Sequence, residues 1–163
     1  MVVALPNSLI IILNIIAWLA IHLSIALLSL QIPDYYFTQK KGWFKSFNWE
    51  KEGQFWEDFL HIRQWKDALP DSSSLFKSAF NKKKIACSDK ESLEKFVIET
   101  QRAEWTHWFS MLPAPLFFIW NPVWAGWLMI LYALIANLPF IFIQRYNRPR
   151  LLKLIRMRNL RNN

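Results

Sequence analysis

Residues 9–30, "LIIILNIIAWLAIHLSIALLSL", contain no formal charge. At about 1.5 Å of rise per residue they cover a hydrocarbon core of about 30 Å, so they predict a transmembrane helix. A cleaved signal peptide has a basic n-region and a shorter apolar core, whereas the first charged residue here is Asp34. The segment is therefore expected to be retained. Asn14, Trp18 and His22 fall at i, i+4 and i+8 with Ser29 two turns further, giving the helix one polar side that should hydrogen-bond to other helices. His22 lies too deep for a reaction site near the membrane surface.

Outward from this helix the charge is unevenly spread. Residues 34–104 hold all twelve acids and thirteen bases, while 145–161 hold seven bases and no acid, so +1 and +7 make up the net +8. That charge alone would suit nucleic acid. A 53% hydrophobic content and ten tryptophans point instead to the membrane, and no nucleic-acid partner is expected. By the positive-inside rule the basic tail is cytoplasmic and the neutral N-terminus lies outside.

Two more apolar stretches, "WTHWFSMLPAPLFFIW" (105–120) and "VWAGWLMILYALIANLPFIFI" (123–143), are separated by Asn121 and Pro122. The second is long enough to span; the first contains Pro113 and Pro115 and is expected to kink or re-enter. The predicted fold is an all-α integral membrane protein with about three transmembrane helices. Its single membrane domain, 1–163, has spans near 8–30, 106–121 and 123–143, a cytoplasmic helical segment 34–104 and a basic cytoplasmic tail 145–163. This is a multi-pass protein of the cell membrane.

Within the cytoplasmic segment, "QFWEDFLHIRQWKDAL" (54–69) sets Phe55, Trp56, Phe59, Ile62 and Leu69 at helical spacing among charges, predicting an interfacial amphipathic helix. "LPDSSS" ends it. "NKKKIACSDK" reads as a loop, after which Ser88 and Glu91 form a capping-box pattern for a helix running to Pro113. The single cysteine, Cys87, permits no intrachain disulfide and reads as an incidental loop residue.

The stretch "ETQRAEWTHWF" (99–109) carries an acid and an imidazole to the membrane boundary. With Leu93 at zero and about 100° per residue, Leu93, Phe96, Val97, Thr100 and Met111 form a stripe within roughly 60° of zero, and Glu104 (about 20°) and His107 (about 320°) fall inside it. Glu99 and Arg102 fall on the opposite face, as a solvated i,i+3 pair. Ionisable groups at membrane depth are costly and so are candidates for function. Glu104 and His107 suit either a carboxylate that orients a general base or a structural hydrogen-bonded pair, and both readings stay open.

Immediately after the last span, "QRYNRPR" (144–150) presents Arg145, Arg148 and Arg150 around Tyr146 and Asn147, suited to a phosphate or carboxylate. The distal tail suits anionic lipid. "HIRQWKD" (61–67) has one residue too many between His61 and Asp67 for the His-x4-Asp acyltransferase signature, and Arg63 and Lys66 read as headgroup contacts. G-x-S-x-G, H-E-x-x-H and glycine-rich phosphate loops are absent.

"IPDYYF" (32–37), "RQWKDALPD" (63–71), "ETQRAEWTHW" (99–108) and "YALIANLPFIFIQRYNRPRL" (132–151) together resemble the glycosyl-4,4'-diaponeurosporenoate acyltransferases, over about residues 32–151. The combination RAE-x-x-HW with QRYNRPR is the specific part. The resemblance implies an enzyme that esterifies the glucose 6-hydroxyl of glycosyl-4,4'-diaponeurosporenoate with a fatty acyl chain, giving a staphyloxanthin-type carotenoid. It supports Arg102, Glu104, His107, Asn137, Gln144, Arg145, Tyr146, Asn147, Arg148 and Arg150 as site residues, with Arg102 as a partner of Glu99, and does not require His61 or Cys87. In this reading His107 is the general base, Glu104 holds it, and the QRYNRPR arginines bind an anionic acyl donor or the developing oxyanion. The expected partners are the glycosyl carotenoid, a fatty acyl donor, membrane lipid and other carotenoid-biosynthesis enzymes, with no cofactor and no metal. The alternative is a non-catalytic membrane scaffold subunit of a carotenoid or lipid biosynthesis complex.

Overall fold

The computed structural model describes residues 6–38, 44–66 and 90–162. Cys87, Asp67, Leu69, the break at 69–74 and the Ser88 cap lie outside the described residues, as does residue 163. Among the described residues every regular element is a helix. The chain forms two compact units, Met1–Pro33 with Trp105–Ile141, and Asp34–Glu104 with Phe142–Asn163.

In the first unit, α1 (Asn7–Gln31) starts after Pro6 and ends where Ile32 turns extended ahead of Pro33. Its Leu9, Ile12, Ile16, Leu19, Leu23 and Leu27 are all exposed, an apolar surface too large for a water-facing helix. Trp18, by contrast, is buried with Ala114, Phe117 and Ala133. The indole lies against the Phe117 ring at 4.6 Å and donates to the Met129 sulfur at 3.4 Å. One turn earlier, Asn14 and Asn121 exchange amide hydrogen bonds at 2.9 and 2.8 Å, and Trp120 Nε1 donates to the same Asn14 oxygen at 2.8 Å. The polar side expected of α1 is therefore engaged at Asn14 and Trp18. Ser29 is buried but bonds the carbonyl of Ala26 in its own helix at 2.7 Å.

The stretch 106–121 is not one helix. α5 (Lys90–Met111) stops ahead of Pro113, and a 3-10 helix, Ala114–Ile119, follows. Proline supplies the reason at both points, since it cannot donate the next backbone hydrogen bond. Asn121 closes the corner by donating from Nδ2 to the Phe117 carbonyl at 2.9 Å. α6 (Val123–Asn162) then begins behind Pro122 and runs for 40 residues. Gly126 lets the Phe118 ring lie against it, since a Cβ there would come within 2.4 Å of that ring. α1 and the apolar part of α6 are long and apolar enough to cross a membrane, and they mark the protein as membrane-associated.

The second unit holds α2 (Tyr35–Thr38), a 3-10 helix (Asn48–Gly53), α3 (Gln54–Leu60), α4 (Ile62–Trp65) and residues of α5 and α6. The amphipathic helix expected over 54–69 is broken in two at His61, whose φ of 49° is left-handed. Glu57 makes the break tolerable: its carbonyl accepts the His61 N–H at 2.9 Å, and its Oε2 accepts the Arg63 N–H at 3.1 Å. The break turns Ile62, fully buried, under Tyr146 and Ile143 together with Trp56, while Phe59 stays exposed. A separate core joins Leu93, Phe96 and Val97 of α5 to Leu151 of α6, as the apolar stripe of α5 required.

Replacing Asn14 with Leu strands the Asn121 and Trp120 donors. Interhelical hydrogen bonds in membranes contribute about 1–2 kcal/mol, so Asn14→Leu should lose a comparable amount in detergent-denaturation titrations, whereas the exposed Ile16→Leu should leave the midpoint unchanged.

Candidate functional site

On α5, Thr100 and Glu104 are one turn apart and share a face; on α6, Arg145 and Arg148 do the same. Glu104 is buried, and its Oε1 accepts from Arg145 Nε at 2.9 Å while its Oε2 accepts from Arg148 Nη2. Arg145 Nη1 reaches on to the fully buried Glu50 at 2.7 Å. The other groups on Glu50 are the Trp56 indole N–H on Oε1 at 3.1 Å and the Phe47 backbone N–H on Oε2 at 2.7 Å. Arg148 also donates to the Thr100 hydroxyl and carbonyl and to the Phe44 carbonyl. Two carboxylates and two guanidinium groups thus alternate in a chain whose formal charges cancel. Their attraction offsets a desolvation cost of several kcal/mol per ion, helped by the further hydrogen bonds to Glu50 and from Arg148.

Glu50 reaches this position through an unusual backbone. Lys51, Glu52 and Gly53 all have positive φ, at 45°, 56° and 89°. Gly53 lies so close to α6 that a Cβ would sit 2.9 Å from the Tyr146 carbonyl oxygen. Tyr146 is itself buried, with the Arg150 guanidinium stacked on its ring at 3.5 Å and Lys66 Nζ at 5.4 Å. Gln144 is buried as well, Asn147 is partly exposed and Arg150 is exposed.

Arg102 differs from the solvated residue expected. It is buried, pairs with Asp34 and with Glu99 at 3.5 Å, and lies over the Phe37 ring at 4.8 Å. The reason is α2, which covers that side of α5 and brings Asp34 and Phe37 to it. Burial pushes the Glu99 carboxyl up from its usual 4.5, opposed by Arg102 and reinforced by Asp34.

His107 belongs to the other unit. Its Nδ1 lies 3.0 Å from Asn137 Oδ1, and its ring stacks on Phe140 at 4.7 Å with an interplanar angle of 9°. Asn137 is buried and donates from Nδ2 to the Ala133 carbonyl at 2.8 Å. The amide oxygen is therefore the atom facing the imidazole, so Nδ1 donates to it, and in the neutral ring the lone pair is on Nε2. That tautomer can accept a proton from a hydroxyl.

The expected residues thus fall into two groups: Glu104 with Arg102, Gln144, Arg145, Tyr146, Asn147, Arg148 and Arg150 in one unit, His107 with Asn137 in the other. The Glu104 carboxylate accepts from two arginines, and His107 Nδ1 meets Asn137. Sequence reasoning missed Glu50. The available signal was charge bookkeeping: two interior arginines need more than one carboxylate.

A profile of the family described as glycosyl-4,4'-diaponeurosporenoate acyltransferase matches residues 40–157. Proteins of that name from Staphylococcus aureus strain bovine RF122 / ET3-1 and strain USA300 are each 44% identical to this chain over 140 residues, covering 86% of it and 84% of their own length. No solved structure matches.

Glu104→Gln should cost about 3–5 kcal/mol, as removal of one member of a buried ionic network does, read from denaturation midpoints. Glu99→Gln should behave in the opposite way. Because its folded pKa is raised, the stability Glu99 contributes is present below pH 4.5 and declines as pH rises through its upshifted titration. At neutral pH the amide should therefore match or exceed the parent in melting temperature.

Proposed function

We propose, from the premise that this chain belongs to the glycosyl-4,4'-diaponeurosporenoate acyltransferase family and is an acyltransferase, that it esterifies the glucose 6-hydroxyl of glycosyl-4,4'-diaponeurosporenoate with a fatty acyl chain. The product would be a staphyloxanthin-type carotenoid.

The observation that carries the chemistry is the hydrogen bond between His107 Nδ1 and Asn137 Oδ1. It fixes the imidazole with Nε2 as the basic atom, the requirement for deprotonating a sugar hydroxyl. In the proposed reaction the hydroxyl oxygen attacks the carbonyl carbon of an activated fatty acyl ester or thioester. A carbon–oxygen bond forms, the bond to the donor's leaving oxygen or sulfur breaks, and His107 carries the hydroxyl proton to that leaving atom. Direct transfer is favoured over an acyl-enzyme because no activated serine or cysteine accompanies His107 in the sequence. Phe140 holds the ring plane, and Asn137 acts as a positioning residue.

In this reading Glu104, Arg145 and Arg148 serve as the internal frame, since the donors described for the arginines are directed at Glu50, Glu104, Thr100 and Phe44. Arg102 ties Asp34 and Glu99 to that frame. Gln144, Tyr146 and Asn147 complete it, with exposed Arg150 available to an anionic group. The proposed topology has an external N-terminus, α1 as a span, 34–104 in the cytoplasm, and 105–143 entering and returning as a hairpin ahead of a cytoplasmic tail. Seven basic residues over 145–161 support that orientation.

His107→Ala should reduce ester formation by about 10²–10⁴-fold, measured by mass spectrometry of pigments in cells that accumulate the glucosyl carotenoid. Unchanged conversion at equal membrane abundance would remove His107 from the chemistry. Asn137→Asp should shift the acid limb of the pH–rate profile to higher pH, because a carboxylate stabilises the imidazolium; a purely structural Asn137 would alter abundance without moving that limb. A fluorescent-protein fusion after residue 163 should report a cytoplasmic terminus, and an external one would overturn the topology.

A further inference from the structure

The second unit contains a cavity of about 940 Å³, bounded by α2, the 3-10 turn, α5 and α6, at the upper end of the roughly 300–1,000 Å³ typical of small-molecule sites. It has two chemically distinct parts. Phe37, Phe44, Ile98 and Leu152 give it apolar walls, and exposed Lys45, Lys51, Lys153 and Arg156 surround them with positive charge. Among the described residues Glu52 and Glu94 are the acids that oppose these cations along the lining, and Glu94 is drawn to Lys90 at 3.8 Å.

A further observation points to an occupant. Gln101 lines this cavity, is 8% exposed, and its Oε1 is buried with no hydrogen-bond partner among the described residues. Leaving such an acceptor unmet costs about 1–3 kcal/mol, and a turn of the Gln101 amide toward the cavity would let a ligand N–H or O–H recover it. Arg148 also borders the space, but its described donors go to Glu104, Thr100 and Phe44. The mobile charge facing a ligand is that of the lysines and Arg156.

We infer that this cavity binds the acyl donor, and that the donor is a fatty acyl chain joined to a phosphate-bearing head with a hydrogen-bond donor beside it. The aliphatic chain lies along Phe37, Phe44, Ile98 and Leu152, the phosphate meets Lys153 and Arg156, and Gln101 Oε1 accepts from an amide N–H or hydroxyl of the head. Neutral amphiphiles lack the anionic group, and free phosphates lack the chain. The inference rests on the acyl-transfer reading, for which it supplies the class of second substrate.

The test uses the full chain purified in dodecyl maltoside and two photoreactive probes carrying a diazirine on the acyl chain, palmitoyl-coenzyme A and phosphatidylglycerol. Both share the acyl–phosphate chemistry, and which of them labels distinguishes a soluble thioester from a membrane lipid as the source. Labelling by either probe should concentrate in peptides containing Ile98 and Leu152 and be competed by its unlabelled form. The double variant Lys153→Glu/Arg156→Glu should reduce it roughly tenfold or more, as expected for about 1 kcal/mol per surface charge near an anionic head. Gln101→Leu, which removes an unmet polar atom and so should fold at least as well, should also reduce it. Labelling spread over the exposed face of α1, or unaffected by these variants at unchanged melting temperature, would overturn the inference. Turnover of the glycosyl carotenoid without labelling of the cavity removes this inference and leaves the acyl-transfer reading intact; specific labelling without turnover keeps the cavity as an acyl–phosphate site but overturns its assignment to the donor of this reaction.

Discussion

Removing a charge from water costs several kcal/mol unless another charge and a full set of hydrogen bonds replace the solvent. The unit containing Glu50, Glu104, Arg145 and Arg148 is organised around that constraint. Neither carboxylate has an open side: the indole of Trp56 and a backbone N–H complete Glu50, and two arginines share Glu104. The surrounding backbone follows from these needs. The left-handed turn at 51–53 delivers Glu50, Gly53 permits its approach to α6, and the break at His61 brings Ile62 under the same helix. Such a network gives little net stability relative to a well-packed apolar core, but it penalises alternative arrangements that would strand a charge.

Apolar periodicity made much of this legible before any coordinates. The uncharged run 9–30 forms α1, and the stripe through Leu93, Phe96, Val97 and Glu104 is buried as its spacing required. Features set by distant partners were not legible. Arg102 reads as solvated along its own helix, yet Asp34, 68 residues away, pairs with it. Glu50 sits in a short polar stretch, and its importance comes from Arg145, 95 residues away. Of the apolar residues expected over 54–69, Trp56 and Ile62 are buried while Phe59 is exposed, and a left-handed His61 lies beyond what side-chain spacing can encode.

The histidine illustrates a related limit. A carboxylate three residues before His107 suggested itself as the orienting group, because local spacing offers only local partners. A partner that this spacing could not offer is the amide of Asn137, 30 residues later and buried on α6, which meets Nδ1. An amide oxygen that accepts from Nδ1 leaves Nε2 as the basic atom of the neutral ring.

The alternating chain of acids and arginines also shapes how this sequence can drift. Substitution at position 50, 104, 145 or 148 alone leaves an uncompensated interior charge, so viable change at one position should be accompanied by change at another. Arginine-to-lysine replacement offers no gentle route, since a lysine ammonium lacks the rigid planar fork by which Arg145 reaches Glu50 from Nη1 and Glu104 from Nε. Across descendants of a common ancestor the four positions should therefore be inherited as one character, exchanged together or kept, while the apolar faces around them diverge one residue at a time.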